Sequence, residues 1–138
     1  MLTREKVFAL NDITTKVITI PDNIPVWGGE SLIIKQLSRG QQDNYNVRRF
    51  GKMEMQQETK AKNSKQDIKG VSIFGHDAWL VVCGVVNEDG SQMFTHSDEA
   101  ELNKKSGEAI GWIASEIVKF SGMQNDEAAL SEEEEVKN

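Results

Sequence analysis

VWGGESLIIKQLSRGQQDNY, residues Val26 to Tyr45, changes character twice along its length. Trp27-Gly28-Gly29 is turn chemistry, because paired glycines give the backbone access to positive φ. Ser31 to Leu37 then alternates in part, with Leu32, Ile34 and Leu37 set against Ile33 and Lys35, and Val17, Ile18 and Ile20 precede it across Pro21 and Pro25. Two apolar runs separated by proline and glycine form a β-hairpin, here with a loop longer than two residues, so the register stays open. Ser38 follows, with Gln41 three positions later, which is a capping box. The spacing predicts a helix from there to about Lys60, with Val47, Phe50 and Met53 as a narrow apolar stripe and Gly51 weakening it by about 1 kcal/mol relative to alanine.

Outward from this stretch the signals are uneven. Residues 56–70 carry Ile68 as their sole large apolar residue and read as a mobile connector. AWLVVCGVV, Ala78 to Val86, is the most apolar run. Its β-branched residues argue strand and its length allows a buried helix, and the period does not decide between them. Asp89-Gly90 marks a turn, Gln92 to Thr95 an extended return, and Ser97 the cap of a short acidic helix from Asp98 to about Lys105. From Ser106, a longer helix places Ala109, Ile110, Ile113, Ile117 and Phe120 on one face with Trp112 at its edge, and Gly122 stands where a left-handed C-cap belongs. These elements make an α+β fold: a mainly helical single domain over residues 1–125 with an N-terminal β-hairpin, followed by a disordered acidic tail at 126–138.

The chain has 138 residues, 38% of them hydrophobic and 28% charged, which suits one domain with a modest core. Its net charge of −6 is unevenly spread. Residues 126–138 hold six acids and one base, residues 35–69 nine bases against four acids, and residues 70–125 three bases against eight acids. A basic middle and an acidic end recognise each other, either within one molecule or from one subunit to the next. In the second case the expectation is a homo-oligomer built head to tail, with Arg39, Arg48, Arg49 and Lys52 against Asp98, Glu99 and Glu101. A single cysteine, Cys83, excludes an intramolecular disulfide and fits a reducing compartment, and no segment approaches the roughly 18 apolar residues of a membrane span.

Reactive groups are sparse. His76 beside Asp77 invites a base or ligand reading, but a histidine next to an acid is common in turns. A zinc site needs three or four convergent ligands, and His76, His96 and Cys83 lack ligand spacing. Asn87 to Ser91 echoes a calcium loop, yet Gln92 occupies its glycine position and Asp98 is a poor twelfth ligand. Gly28-Gly29 is followed by no phosphate-cradle residues. The expectation is a protein without catalytic residues, metal or cofactor. Tyr45, Arg48, Arg49 and Phe50 interleave bases with aromatics, so a nucleic-acid-binding protein using residues 35–69 is the alternative, against which stand the net charge and a pI near 5.0.

IPVWGGESLIIKQLSRGQQDNY, the run VVNEDGSQMFTHSDEAELNKKSGEAIGWIASEIVKFSGM and the acidic terminus closing in VKN together resemble, over about residues 15–138, the tail assembly chaperones of long-tailed, lambda-like bacteriophages. The resemblance rests on Trp27-Gly28-Gly29, on the Asp89-Gly90 turn with Phe94 and Asp98 after it, and on the helical end from Leu102 to Gly122. It implies a non-enzymatic protein of the infected host's cytoplasm, absent from the mature virion, that binds the tape measure protein and keeps it soluble while tail tube subunits polymerise around it. It also implies a longer product of ribosomal frameshifting whose extension recruits the tail tube protein. Such a protein needs exposed apolar area beside strong solvation. Trp27, Phe94, Trp112 and Met123 are the large side chains to consider for client contact, with Phe94 and Trp112 weighed first as core.

Overall fold

A computed structural model describes residues 1–51 and 76–123. The expected connector at 56–70, the acidic tail at 126–138, and the roles given to Lys52 and Met53 lie outside the described residues. The elements run α1 (Arg4–Ala9), β1 (Thr15–Thr19), β2 (Ser31–Lys35), α2 (Arg39–Asn46), a π-helical turn (Val47–Gly51), α3 (His76–Gly84), β3 (Val85–Val86), a 3-10 turn (His96–Asp98), α4 (Glu99–Leu102) and α5 (Gly107–Phe120). The strands form an antiparallel sheet in the order β1-β2-β3, so the architecture is α+β with the expected N-terminal hairpin.

The hairpin pairs Val17 with Ile33 and Ile18 with Leu32, and its turn closes through Ile20, whose N–H donates to Glu30 O at 2.8 Å and whose carbonyl accepts from Gly29 N–H at 2.8 Å. Gly28 is required there: a Cβ would lie 2.7 Å from the Asp22 carbonyl oxygen. Ser38 caps α2 in the anticipated capping box, accepting from Gln41 N–H while its own N–H donates to Gln41 Oε1 at 3.0 Å.

The body of that helix differs from expectation. Its α-helical part ends at Asn46 and widens into the π turn, and Val47, assigned to the apolar stripe, is 67% exposed. Tyr45 is the buried residue, stacked on Trp79 at 6.2 Å between ring centroids. One large aromatic, anchored at that point, sets the buried side of this short helix more strongly than spacing does.

The apolar run resolves into both alternatives. Residues up to Gly84 are helix, and Val85–Val86 pair with Ile34 and Ile33. Ala78 through Val86 are all buried, so no face is polar and no period is visible. The switch falls at Gly84, where a Cβ would meet Ile117 Cδ1 at 2.7 Å. Gln92 Nε2 then donates to Val82 O at 3.0 Å and satisfies a carbonyl at the end of α3.

Thr95, rather than Ser97, opens the short acidic helical segment: its N–H donates to Asp98 Oδ2 at 2.8 Å, and α4 ends at Leu102. An acid three residues downstream can reach back to the cap N–H, which is the reciprocal half of a capping box. α5 matches its prediction. Ser106 Oγ accepts from Ala109 N–H, Ala109, Ile110, Ile113 and Ile117 are buried, and the helix closes in a Schellman motif, with Met123 N–H to Val118 O at 3.0 Å and Gly122 at φ +75. Ile34, Ile20, Leu80, Val85 and Ile117 form the centre of the core, between the inner face of the sheet and helices α3 and α5.

Candidate partner-binding surface

The outer face of the sheet carries an apolar patch between polar residues, with Thr15, Lys35, Thr19 and Ser31 flanking Val17 and Ile33. Alternation puts Ile18, Leu32, Ile34 and Val85 on the core side and Val17, Ile33 and Val86 on the other as paired neighbours across the three strands, with Val86 covered, Ile33 half-buried and Val17 open. Val17 is 66% exposed. With Leu32, Met93 and the polar rim of Ser31, Asn87 and Glu88, these residues line a groove of about 320 Å³.

A second apolar surface precedes β1. Helix α1 is capped by Thr3 Oγ1, which accepts from Lys6 N–H, and it has no buried residue. Leu2, Val7, Phe8 and Leu10 are all exposed, Phe8 at 71% with the Arg4 guanidinium 4.7 Å from its ring centroid. A six-residue helix without a packed face gains nothing from tertiary burial, so its apolar side chains are available to another surface.

The residues singled out from sequence lie elsewhere. Trp27, Phe94, Trp112 and Met123 are partly buried and pack against the core from separate elements: the hairpin turn, the segment after β3, α5 and the C-cap. The signal that would have found the exposed set is the pair of apolar residues at outward register positions, Val17 and Ile33, once the hairpin register is known.

The oppositely charged segments do meet within the chain. Arg48 Nη2 lies 3.5 Å from Glu99 Oε1 and its guanidinium 5.2 Å from the Trp79 ring centroid, while His96 Nδ1 is 3.4 Å from Glu99 Oε2. Trp79 stacks with both Tyr45 and His96, and Arg49 lies 5.3 Å from the Tyr45 ring. The widened π turn carries both arginines into this cluster. Arg39 pairs with Asp43 and Glu101 with Lys104, each along its own helical segment, and Asp98 accepts from Thr95. These contacts are made within one chain, and the Arg39–Asp43 and Lys104–Glu101 pairs stay largely exposed.

His76 and Asp77 differ in burial. His76 is buried, edge-on to Tyr45 at 6.2 Å, and Asp77, the next residue of α3, is exposed. Partial desolvation pushes the Asp77 carboxyl above its ordinary pKa, and Arg49 opposes the shift. Asn87 to Ser91 is a plain turn in which Asp89 Oδ1 accepts from both Ser91 N–H and Ser91 Oγ, and those bonds hold its carboxyl below the usual value. Among the described residues, no three His, Cys, Asp or Glu are grouped to hold a metal ion, and no helix is long and apolar enough to cross a membrane. Comparison of the chain with protein-family models, with curated proteins and with solved structures finds no match.

Proposed function

We propose that the chain is a tail assembly chaperone of a long-tailed bacteriophage, acting in the host cytoplasm by binding the tape measure protein and left out of the finished virion. The order of motifs from Trp27-Gly28-Gly29 to Gly122 supports the family, and the groove in which Val17 and Met93 are exposed beside a half-buried Ile33 is the observation that carries the mode of action. An apolar groove with a polar rim suits one face of an amphipathic helix, the form in which a long helical client would expose its insoluble surface. The chain's net charge of −6 keeps such a complex hydrated. A longer product made by frameshifting would keep this surface and add the contact with the tail tube protein.

Co-expression with the very long, helix-rich reading frame expected immediately downstream tests the proposal. The wild-type chain should raise the soluble fraction of that protein several-fold, and Met93→Glu, which puts a charge into a side chain already 44% exposed, should abolish the gain while leaving thermal stability unchanged. Unchanged solubility with the wild-type chain would overturn the proposal, and an undiminished gain with Met93→Glu would remove the groove from it.

A further inference from the structure

The geometry points to a second copy of this chain as the partner of the free edge of β1: we propose a two-fold symmetric dimer joined strand to strand at Val17, with the N-terminal arm of each copy lying over the hairpin turn of the other. The argument begins with the ladder. Thr14 O accepts from Gln36 N–H at 3.1 Å and Ile20 N–H donates to Glu30 O at 2.8 Å, so these residues direct their backbone groups toward β2. Alternation along an antiparallel strand turns the N–H and C=O of Thr15, Val17 and Thr19 the other way, onto an edge where no described residue pairs with them.

That edge is self-complementary. Antiparallel pairing centred on Val17 sets it opposite its counterpart, sets Thr15 opposite Thr19 twice over, and forms about six hydrogen bonds. Natural edges are guarded by proline, bulges or outward lysines. β1, TKVIT, has neither proline nor bulge, and its one charge, Lys16, leans over the inner side with Nζ 5.0 Å from the Phe120 ring centroid, which leaves the outward face of the edge to Thr15, Val17 and Thr19. The outward pair then continues across the axis as Ile33 and Val17 of one copy and Val17 and Ile33 of the other.

Five residues of edge fall well short of the roughly 800 Å² that each partner of a stable dimer buries. The remainder comes from the arm. Because Thr15 meets the second copy's Thr19, the residues before Thr15 run past that copy's turn, residues 20–30. Val26 stands there 97% exposed, facing an arm whose Phe8, Leu10 and Ile13 are also uncovered. The turn segment carries Asp22 and Glu30 and no base, while α1 carries Arg4 and Lys6 against Glu5. One symmetric contact therefore covers apolar groups in three places that the fold of a single copy leaves in water.

Sedimentation of the full-length chain at micromolar concentration should give a dimer. Val17→Lys brings two ammonium groups together on the axis and should weaken association at least tenfold with an unchanged far-UV circular dichroism spectrum. Val17→Pro removes an N–H that β2 does not use and should do the same. Val17→Cys tests the register without relying on disruption: opposed Cα atoms about 5.5 Å apart satisfy disulfide geometry, so oxidation should give a linked dimer, while Val47→Cys, also exposed, should not. A monomeric wild-type chain, an assembly indifferent to Val17→Lys, or a Val17→Cys variant that stays unlinked would each overturn the proposal.

Discussion

The backbone N–H of Leu37 donates to Ser121 Oγ at 2.9 Å across 84 residues of sequence. Two further bonds lie beside it, from Gln36 Nε2 to Phe120 O and from Gln42 Nε2 to Ser121 O. The segment between β2 and α2 is thereby fastened to the C-terminus of α5, where helix carbonyls lack intrahelical partners. The hairpin and the last helix stand far apart in sequence, and this latch holds them together.

Ser121→Ala leaves the Leu37 N–H without its acceptor beside a side chain only 3% exposed. Losing a hydrogen bond at such a place costs about 1–2 kcal/mol. The urea midpoint should fall accordingly with no change in the slope of the transition. A midpoint equal to wild type would show that water replaces the hydroxyl at no cost.

Gly84→Ala should be worse than its size suggests. The added methyl would approach Ile117 Cδ1, Cγ2 and Cγ1 at 2.7, 2.8 and 2.9 Å, and two of those atoms sit on the β-carbon, where rotation cannot clear both. Overpacking of this kind costs about 1–3 kcal/mol. Ile117→Val removes the nearest atom at about 0.5–1.5 kcal/mol by itself. The double variant should therefore be more stable than the sum of the single losses, which a double-mutant cycle in urea measures directly.

How much of this was legible in the sequence depended on whether a signal was local. Ser38 with Gln41, Ser106 with Ala109, and Gly122 after Phe120 are short-range devices, and each is formed where its spacing placed it. The apolar face of α5 was readable because its other face is polar. Ala78 to Val86 was not, because burial on all sides erases the period, and the contact that ends the helix, Gly84 against Ile117, spans 33 positions that no local pattern connects. Trp27, Phe94, Trp112 and Met123 stand out in the sequence by size, and size also favours packing against a core, where all four are found partly buried. Val17 and Ile33 escaped notice because their outward direction depends on the register, which the long hairpin loop left open.

Val26 is the one described non-glycine residue with positive φ, at 73°, and its side chain is in solvent. A β-branched residue in this region is strained by about 1–3 kcal/mol. Asparagine adopts the same backbone geometry at little cost, and no packing is lost within one copy. Val26→Asn should therefore raise the melting temperature by several degrees when measured at a concentration low enough for the monomer. At higher concentration the same substitution should weaken dimerisation, because it removes an apolar group from the face opposite the arm. A gain at low concentration without that loss would separate the strain from the interface.

Cys83 supplies the pH-dependent prediction. Burial pushes its thiol up to about 11 from an ordinary value of 9.0, against the opposing effect of Lys35. The folded chain therefore holds the thiol proton after the unfolded chain has released it. In the window from about pH 9 to 11 the unfolded state binds fewer protons, so stability falls as pH rises through that window and is unaffected by this group below it. The comparison with Cys83→Ala isolates the effect, since every other titrating group is common to both: the difference in urea midpoint between wild type and variant should be constant near neutral pH and shift against the wild type above about pH 9. The same burial should keep a thiol reagent from reacting with the native chain, so that modification at neutral pH proceeds through the opened chain and accelerates as urea populates it. Rapid modification of the folded protein, or a midpoint difference independent of pH up to 11, would contradict the buried, protonated thiol.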